Sequence, residues 1–556
     1  MREEARQKSE GRQVVPFMYD RPAGRLLFLS IDKEGRALGT SLAEKGDHSI
    51  SLPARHRSSN IEPFLLSDNG SYVFGVGKKG SERHAEFKEL AEECSTALNI
   101  PSVDAIVKFL ENPQVALPDD YKHDSDRVVF KVANTYPTDL ARVQEYWASK
   151  IADDTETQPG TCLICRQQTR VVGRIPLKVS YLGMTLVSAN SQAYASDGFN
   201  NTYTSPICLN CAEKATKGLD SLLRSTETHS ITGDVHYLYW TTADSDAPVE
   251  NLFEPDPNKV RELINAYKTG KKAVVFLDDR PYYFAVLVKG KSRFSLRAWE
   301  ETTLGVVRLN VARWFAMQEI DFQEERYLGL GDILELLFRH GDRKISSNEW
   351  GAAKPLAQAI ARTALEARPL PYSLLLKSVN RAGILYRKKR PGKGLRAELR
   401  YLRDITILLK AALAGVGMIE EGDMVGLDES REDPAYLCGR LLAILDDIQY
   451  AALPEVNVTL AAKSFGAALT TPRYILPDRV KMATQAYLPK IKKGEGGAYN
   501  VESKRLTGVL DQLDGFPAFL DPDGQAAFVL GFYHEKAAKW ARIEEAKNKS
   551  KSKSKN

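Results

Sequence analysis

Cysteine placement constrains this chain more than any other feature. The sequence reads Cys162-Leu-Ile-Cys165, then 42 residues, then Cys208-Leu-Asn-Cys211. Two CxxC pairs at this separation have the spacing of a structural zinc site. Each pair sets two thiolates on one tight turn, and two such knuckles complete a tetrahedron. A single CxxC would suit redox chemistry, whereas two pairs favour a metal, here Zn2+ as a structural staple. Between the pairs lies Ser188–Tyr203, polar and dotted with aromatics. Asn190, Gln192 and Asn201 carry amides that suit base edges, and Tyr194, Phe199 and Tyr203 carry rings that can stack on bases. Two readings stay open. Either the metal closes the base of this loop and shapes it for nucleic acid, or the loop is simply solvated with its rings buried. Cys94 and Cys438 stand alone in apolar-periodic stretches and read as packing residues. Such cysteine usage suits a reducing cytoplasm better than a disulfide framework.

At 556 residues the chain exceeds one domain, roughly three or four by the ~150-residue rule. The first fifteen residues are charged and hold no apolar core, and no run approaches the ~20 apolar residues of a membrane span. A cytoplasmic location is therefore expected. Residues 1–15 are expected to be disordered. Residues 16–160 read as an α+β domain. Strands are expected at Arg25–Ile31 and Arg127–Ala133, and a strand–turn–strand about Asp68-Asn69-Gly70. Helices are expected at Glu82–Leu98, Val103–Leu110 and Asp139–Lys150. Residues 161–230 form the zinc-knuckle segment, with a helix at Cys211–Leu223. Residues 231–330 read as an antiparallel meander (Val235–Trp240, Ala273–Leu277, Tyr282–Val288, Phe294–Trp299) completing the N-terminal part. Residues 331–404 form a helical basic connector and 405–546 a C-terminal helical bundle. The Lys-Ser tail, 547–556, is expected to be disordered. The fold class is α+β: a mixed α/β N-terminal part with a zinc-knuckle insertion, then an all-α helical bundle.

Charge is concentrated rather than large. The net charge is +5, yet the window Lys377–Asp404 alone holds ten basic and two acidic residues, +8. Arg396, Arg400 and Arg403 in it fall on one helix face, and Arg387 and Lys388 precede them. A row like this fits a phosphate backbone, and a solvated helix surface is the plain alternative. Arg55, Arg57, Lys78, Lys79 and the hairpin-tip pair Lys291 and Arg293 are further backbone-contact candidates. Asn69 joins Asn190, Gln192 and Asn201 as a candidate reader of base edges. No GxxxxGK[ST], GxSxG or HExxH signature occurs, so no enzymatic activity is expected. The lone His123-Asp124 pair reads as a surface turn.

Four stretches carry a family resemblance. Arg57-Ser-Ser-Asn-Ile-Glu-Pro-Phe-Leu-Leu-Ser-Asp-Asn-Gly-Ser-Tyr-Val-Phe-Gly75, Leu186–Gly198 and Gly290–Trp299 are three of them. The fourth is the C-terminal set Leu437–Gln449, Ala467–Pro472 and Gln525–His534. Together these resemble the large subunit of the type I-C (Dvulg subtype) CRISPR Cascade effector complex. Ala189 and Asp197 stand where the family pattern has Phe and Tyr. The resemblance implies a non-catalytic subunit that recognises the protospacer-adjacent motif in duplex DNA, aids R-loop formation and recruits a helicase-nuclease. It implies as partners crRNA, target DNA, the Cascade backbone subunits and a crRNA-processing subunit. It also implies a small subunit resembling this chain's own C-terminal part, for which Met418 and Met424 are candidate internal starts. A zinc-dependent nuclease and a zinc-ribbon DNA-binding regulator are the alternative functions the residues leave open.

Overall fold

The computed structural model describes residues 16–553 apart from 23, 47, 58–59, 188, 190, 242–249, 270–275, 291–293, 323–324, 339–346, 387–394, 457 and 495. It divides into two compact units, Met1–His229 with Val286–Arg297, and Ser230–Ala285 with Ala298–Asn556.

The first unit is built on a three-stranded sheet and a short antiparallel pair, β1 (Tyr19–Asp20) with β4 (Leu52–Pro53). In the sheet, β2 (Leu26–Ile31) pairs antiparallel with β3 (Ala37–Ala43) and parallel with β5 (Arg127–Val132). Strand β3 escaped sequence reading because most of its side chains are half-buried or exposed, leaving no apolar period. Period-two alternation sends Leu27, Leu29, Ile31, Val128, Phe130 and Val132 into the main core. Leu26 and Val129 face a second, smaller core with Leu52. Helices Gly80–Leu98, Pro101–Glu111 and Ala141–Asp154 cover the main face with Phe87, Ile106, Phe109 and Trp147. Cys94 is fully buried there, as expected.

One turn corrects the sequence reading. Asp68-Asn69-Gly70 opens a short helix, Gly70–Val73, rather than a hairpin. The Asn69 carboxamide accepts from the Ser71 N–H at 3.2 Å and from its Oγ at 2.6 Å. That is N-capping, the other conformation that Asn favours.

A short chain of hydrogen bonds then fixes where the cysteine segment attaches. Trp147 Nε1 donates to Met18 O at 3.0 Å, and Met18 N donates to the buried Glu213 carboxylate at 2.8 Å. Lys217, one turn on, pairs with Glu213. Glu213 lies on the helix Leu209–Arg224, whose start carries the second cysteine pair.

A four-stranded sheet runs in the order β11 (Phe294–Thr303), β10 (Pro281–Lys289), β9 (Val235–Thr241), β8 (His229–Thr232), most of it in the second unit, with His229 and the hairpin end Val286–Arg297 grouped with the first. The segment 231–330, expected to complete the N-terminal part, thus lies mainly with the helices. Lys354 on the helix Ser347–Glu366 pairs with Asp234 at 2.8 Å, and Trp350 lies against Gly233. The Ala273–Leu277 strand falls mostly outside the described residues.

The helices Pro434–Ala452 and Pro522–Lys553 form the tightest pair of this unit. A Cβ on Gly439 would lie 1.9 Å from Phe528 O, and one on Gly531 would lie 2.2 Å from Tyr436 O. Only glycine admits that approach. The last helix also runs through most of the Lys-Ser tail, to Lys553, correcting the expected disorder over 547–553. Lysine is a fair helix former, no Gly or Pro interrupts the run, and Lys547 pairs with Glu544 at 3.0 Å.

Buried charge joins the same helices. Lys536 Nζ donates to Asp446 and Asp447, both at 2.7 Å, and Arg505 reaches Asp447 at 3.1 Å. Burial pushes the Asp447 carboxyl up, but Lys536, Lys539 and Arg505 outweigh it and hold it at about 2. Unfolded aspartate titrates near ~3.9. A folded value below the unfolded one adds stability above ~pH 4, and that stability is lost as pH falls towards about 2. Asp447→Asn should cost roughly 3–5 kcal/mol, because it leaves buried cations unpaired. It should also flatten the acid limb of thermal melts followed by circular dichroism. An unchanged acid limb in the variant would refute this account.

Candidate metal centre and nucleic-acid loop

Strands β6 (Thr157–Thr161) and β7 (Gln168–Val172) form an antiparallel hairpin with Thr161 opposite Gln168. The turn between them carries Cys162 and Cys165. It is closed by Cys162 N donating to Gln167 O at 3.0 Å and Arg166 N to Cys162 O at 2.8 Å. The second pair comes from a helix start. Cys208 is the N-cap residue of Leu209–Arg224, and Cys211 lies in its first turn. Two bonds join the halves: Leu163 N to Pro206 O at 2.9 Å, and Val172 N to Ile207 O at 2.9 Å.

These seams bring all four Sγ atoms within 4.8 Å of one another. A tetrathiolate zinc site has Zn–S near 2.3 Å, so its sulfurs stand about 3.8 Å apart. The observed cluster is close to that, and the four residues could hold one metal ion. The donors are all soft thiols and none is in a disulfide, which selects zinc or iron–sulfur chemistry over magnesium or calcium. Burial pushes the Cys162 thiol up, but N–H groups of Cys165, Cys208 and Ile164 overcome this and hold it at about 6. Burial raises Cys208 and Cys211. Metal binding displaces the protons that the thiols carry, so occupancy depends on pH.

The insert projects from this clamp. Gly173 N bonds Glu156 O at 2.9 Å and Thr202 N bonds Gly173 O at 3.2 Å, closing its base. Its tip is a two-residue turn at Asp197 and Gly198, with φ of 52° and 81°. Ser196 and Phe199 exchange backbone bonds of 3.0 and 2.8 Å across it, the arrangement of a type I′ hairpin turn. Phe199 is 51% and Tyr194 45% exposed, so these rings are not packed inside. Gln192 is exposed in a helical turn, 192–194, and Asn201 is half-buried at the base with φ of 52°. Asn190 lies outside the described residues.

The other candidates divide. Lys78 and Lys79 are exposed beside the start of the helix Gly80–Leu98. Arg57 pairs with buried Asp68 and stacks 3.6 Å from the Phe64 ring centroid. Arg55 pairs with Asp154 at 3.5 Å and Glu62 at 3.9 Å. The Asn69 amide donates to Asp124 O at 3.2 Å besides capping its helix. Among these, Arg55, Arg57 and Asn69 are engaged in holding the fold. Arg396 and Arg400 are exposed on the helix Leu395–Gly415. Lys291, Arg293, Arg387 and Lys388 lie outside the described residues.

Sequence reading missed one basic strip. Arg166, Arg170, Arg174 and Lys178 are all exposed along the first knuckle and its exit, with no acid between them. Counting charge beside the cysteines, rather than only in the longest basic run, would have found it.

A soft-donor cluster, an exposed aromatic loop and a local cationic strip thus lie along one stretch of the chain. The CRISPR-associated protein family Cas_Csd1 matches residues 2–540. The chain belongs to that family, the large subunit of type I-C Cascade complexes. No curated protein matches the chain. Among the described residues no helix is long and apolar enough to cross a membrane.

The clamp makes a direct prediction. The protein should carry one zinc per chain by elemental analysis. The variant with all four of these cysteines changed to Ser should carry none. Hydrogen exchange should then accelerate across 157–224 while Gly80–Leu98 stays protected, since structural zinc contributes folding energy locally. Retention of zinc by that variant would refute the assignment.

Proposed function

We propose that this large subunit senses a short motif in duplex DNA through the loop 188–203 and aids strand opening there. The loop's exposure on a thiol-clamped base beside Arg166, Arg170, Arg174 and Lys178 is the observation that carries this reading. Gln192 and Asn190 are the motif readers, and Tyr194 and Phe199 the stacking groups. Asn201 supports them from the loop base. Asn69 is left out, because its amide is used in capping. The cationic strip, Lys78, Lys79, Arg396 and Arg400 contact phosphates.

The remaining sequence is read by pairing with the guide, the division of labour of RNA-guided effectors. The chain performs no reaction itself: zinc held by four thiolates has no open position for a water. It works in the cytoplasm with crRNA, the backbone subunits and the crRNA-processing subunit, and it recruits a helicase-nuclease to target DNA. An internal start at Met418 or Met424, both between the helices Leu395–Gly415 and Pro434–Ala452, supplies a small subunit from the same gene.

Two variants separate the roles in the assembled complex. Asn190→Ala with Gln192→Ala should lower affinity for motif-bearing duplex roughly tenfold and leave pre-opened bubble DNA unaffected, as removing base-edge hydrogen bonds does. Equal weakening on both substrates argues against motif reading. Arg396→Glu with Arg400→Glu should weaken all DNA alike. It should also lower the slope of log affinity against log salt by about one for each phosphate left without its cation. An unchanged slope removes that helix from the interface.

A further inference from the structure

Beneath the loop lies a half-enclosed cavity of about 200 Å³, lined by His56, Gly173, Arg174, Thr185, Val187, Ala189, Asn201 and Thr202. It is below the ~300 Å³ floor of drug-sized pockets, so its occupant is a small group. Its walls are the closed base of the insert. Thr202 N bonds Gly173 O at 3.2 Å, Asn201 N bonds Ala189 O at 3.1 Å, and His56 N bonds Pro176 O.

The chemistry of the lining is specific. His56 Nδ1 is buried with no hydrogen-bond partner, a condition that is costly unless another group completes it. Burial and the neighbouring Lys178 and Arg174 cations push the imidazole below its ordinary value, so the ring is neutral at pH 7. A neutral imidazole offers one donor and one acceptor, and a carboxamide offers both. The Asn201 carboxamide makes no hydrogen bond to a described residue. The cations stand at the mouth: Arg174 lines the cavity with its side chain exposed, and Lys178 is exposed close by.

We propose that this cavity receives one unpaired nucleotide, its base between His56 and Asn201 and its phosphate on Arg174 and Lys178. The neutral donor–acceptor lining matches a base edge, which carries both kinds of group. A free phosphate would need donors only, and would seat on the cations outside. The proposal rests on the reading of this segment as a DNA-sensing loop. It adds a holding site for a base that strand opening has freed, and taking a base out of the stack is least costly where pairing is already absent.

The test uses the zinc-loaded full-length chain and two competitors. One is 5′-phosphorylated pentathymidylate, and the other is the same sugar–phosphate chain without bases. Each displaces a fluorescein-labelled strand, followed by anisotropy. The wild type should bind the base-bearing strand roughly tenfold tighter, the scale of one good base contact. His56→Ala and Asn201→Asp should each erase that preference while keeping wild-type zinc content and melting temperature. The acid tolerates the positive φ at position 201 as Asn does. The preference should survive Tyr194→Ala with Phe199→Ala, which removes the exposed rings. Equal wild-type affinity for both strands, no binding of either, or a preference that outlives His56→Ala overturns the pocket. If the pocket preference fails while the Gln192 effect on motif-bearing duplex holds, only the pocket falls. The reverse outcome removes the motif reading alone.

Discussion

The first unit's functional end depends on joining a hairpin turn to a helix start through four sulfurs. The insert between them is 42 residues long. The apolar core available locally is small: Val172, Ile175, Ile207 and Ala212 around the buried Cys162. A metal on the four sulfurs would tie the two ends of the insert together directly, because metal binding contributes folding energy where the ligands converge.

The clamp also needs a fixed mount. Glu213 supplies it from the same helix that presents Cys208 and Cys211. Its buried carboxylate receives Met18 N, and Met18 O in turn receives the Trp147 indole from the main core. A buried carboxylate is costly unless satisfied, and here a backbone donor and Lys217 satisfy it. The second cysteine pair is thereby tied to a fully buried tryptophan. The loop tip carries its own local geometry in Asp197-Gly198, with φ of 52° and 81°.

Much of this was legible in the sequence because the signals were local. The CxxC spacing, the 3.6-period helices and the alternating strand Leu26–Ile31 each report on neighbours along the chain. What failed depended on distant partners. Asp68-Asn69-Gly70 carries a turn composition, and only the surrounding helix makes Asn69 a cap. Arg57 reads as a free cation, yet Asp68 and the Phe64 ring hold it in the fold. Charge in a sequence does not say which way a side chain points. The strip Arg166–Lys178 was missed for the complementary reason: its cations are spread thinly and become one feature only along the knuckle hairpin.

The family-like C-terminal stretches show what such motifs encode in packing. Leu437–Gln449 and Gln525–His534 fall on the helix pair where Gly439 and Gly531 let backbone meet backbone. Tyr436 and His534 hydrogen-bond at 3.0 Å across that pair, and Arg440 meets Glu535 at 3.0 Å. Close approach alone leaves register undetermined, because apolar faces slide. Around the contact, the carboxylates Asp446, Asp447, Glu502 and Glu535 face the cations Arg440, Arg505, Lys536 and Lys539. Such a network adds little net stability over a packed apolar core, but a one-turn slip would leave several buried charges unpaired, at several kcal/mol each. The glycines therefore set the distance between the helices and the charges set their register.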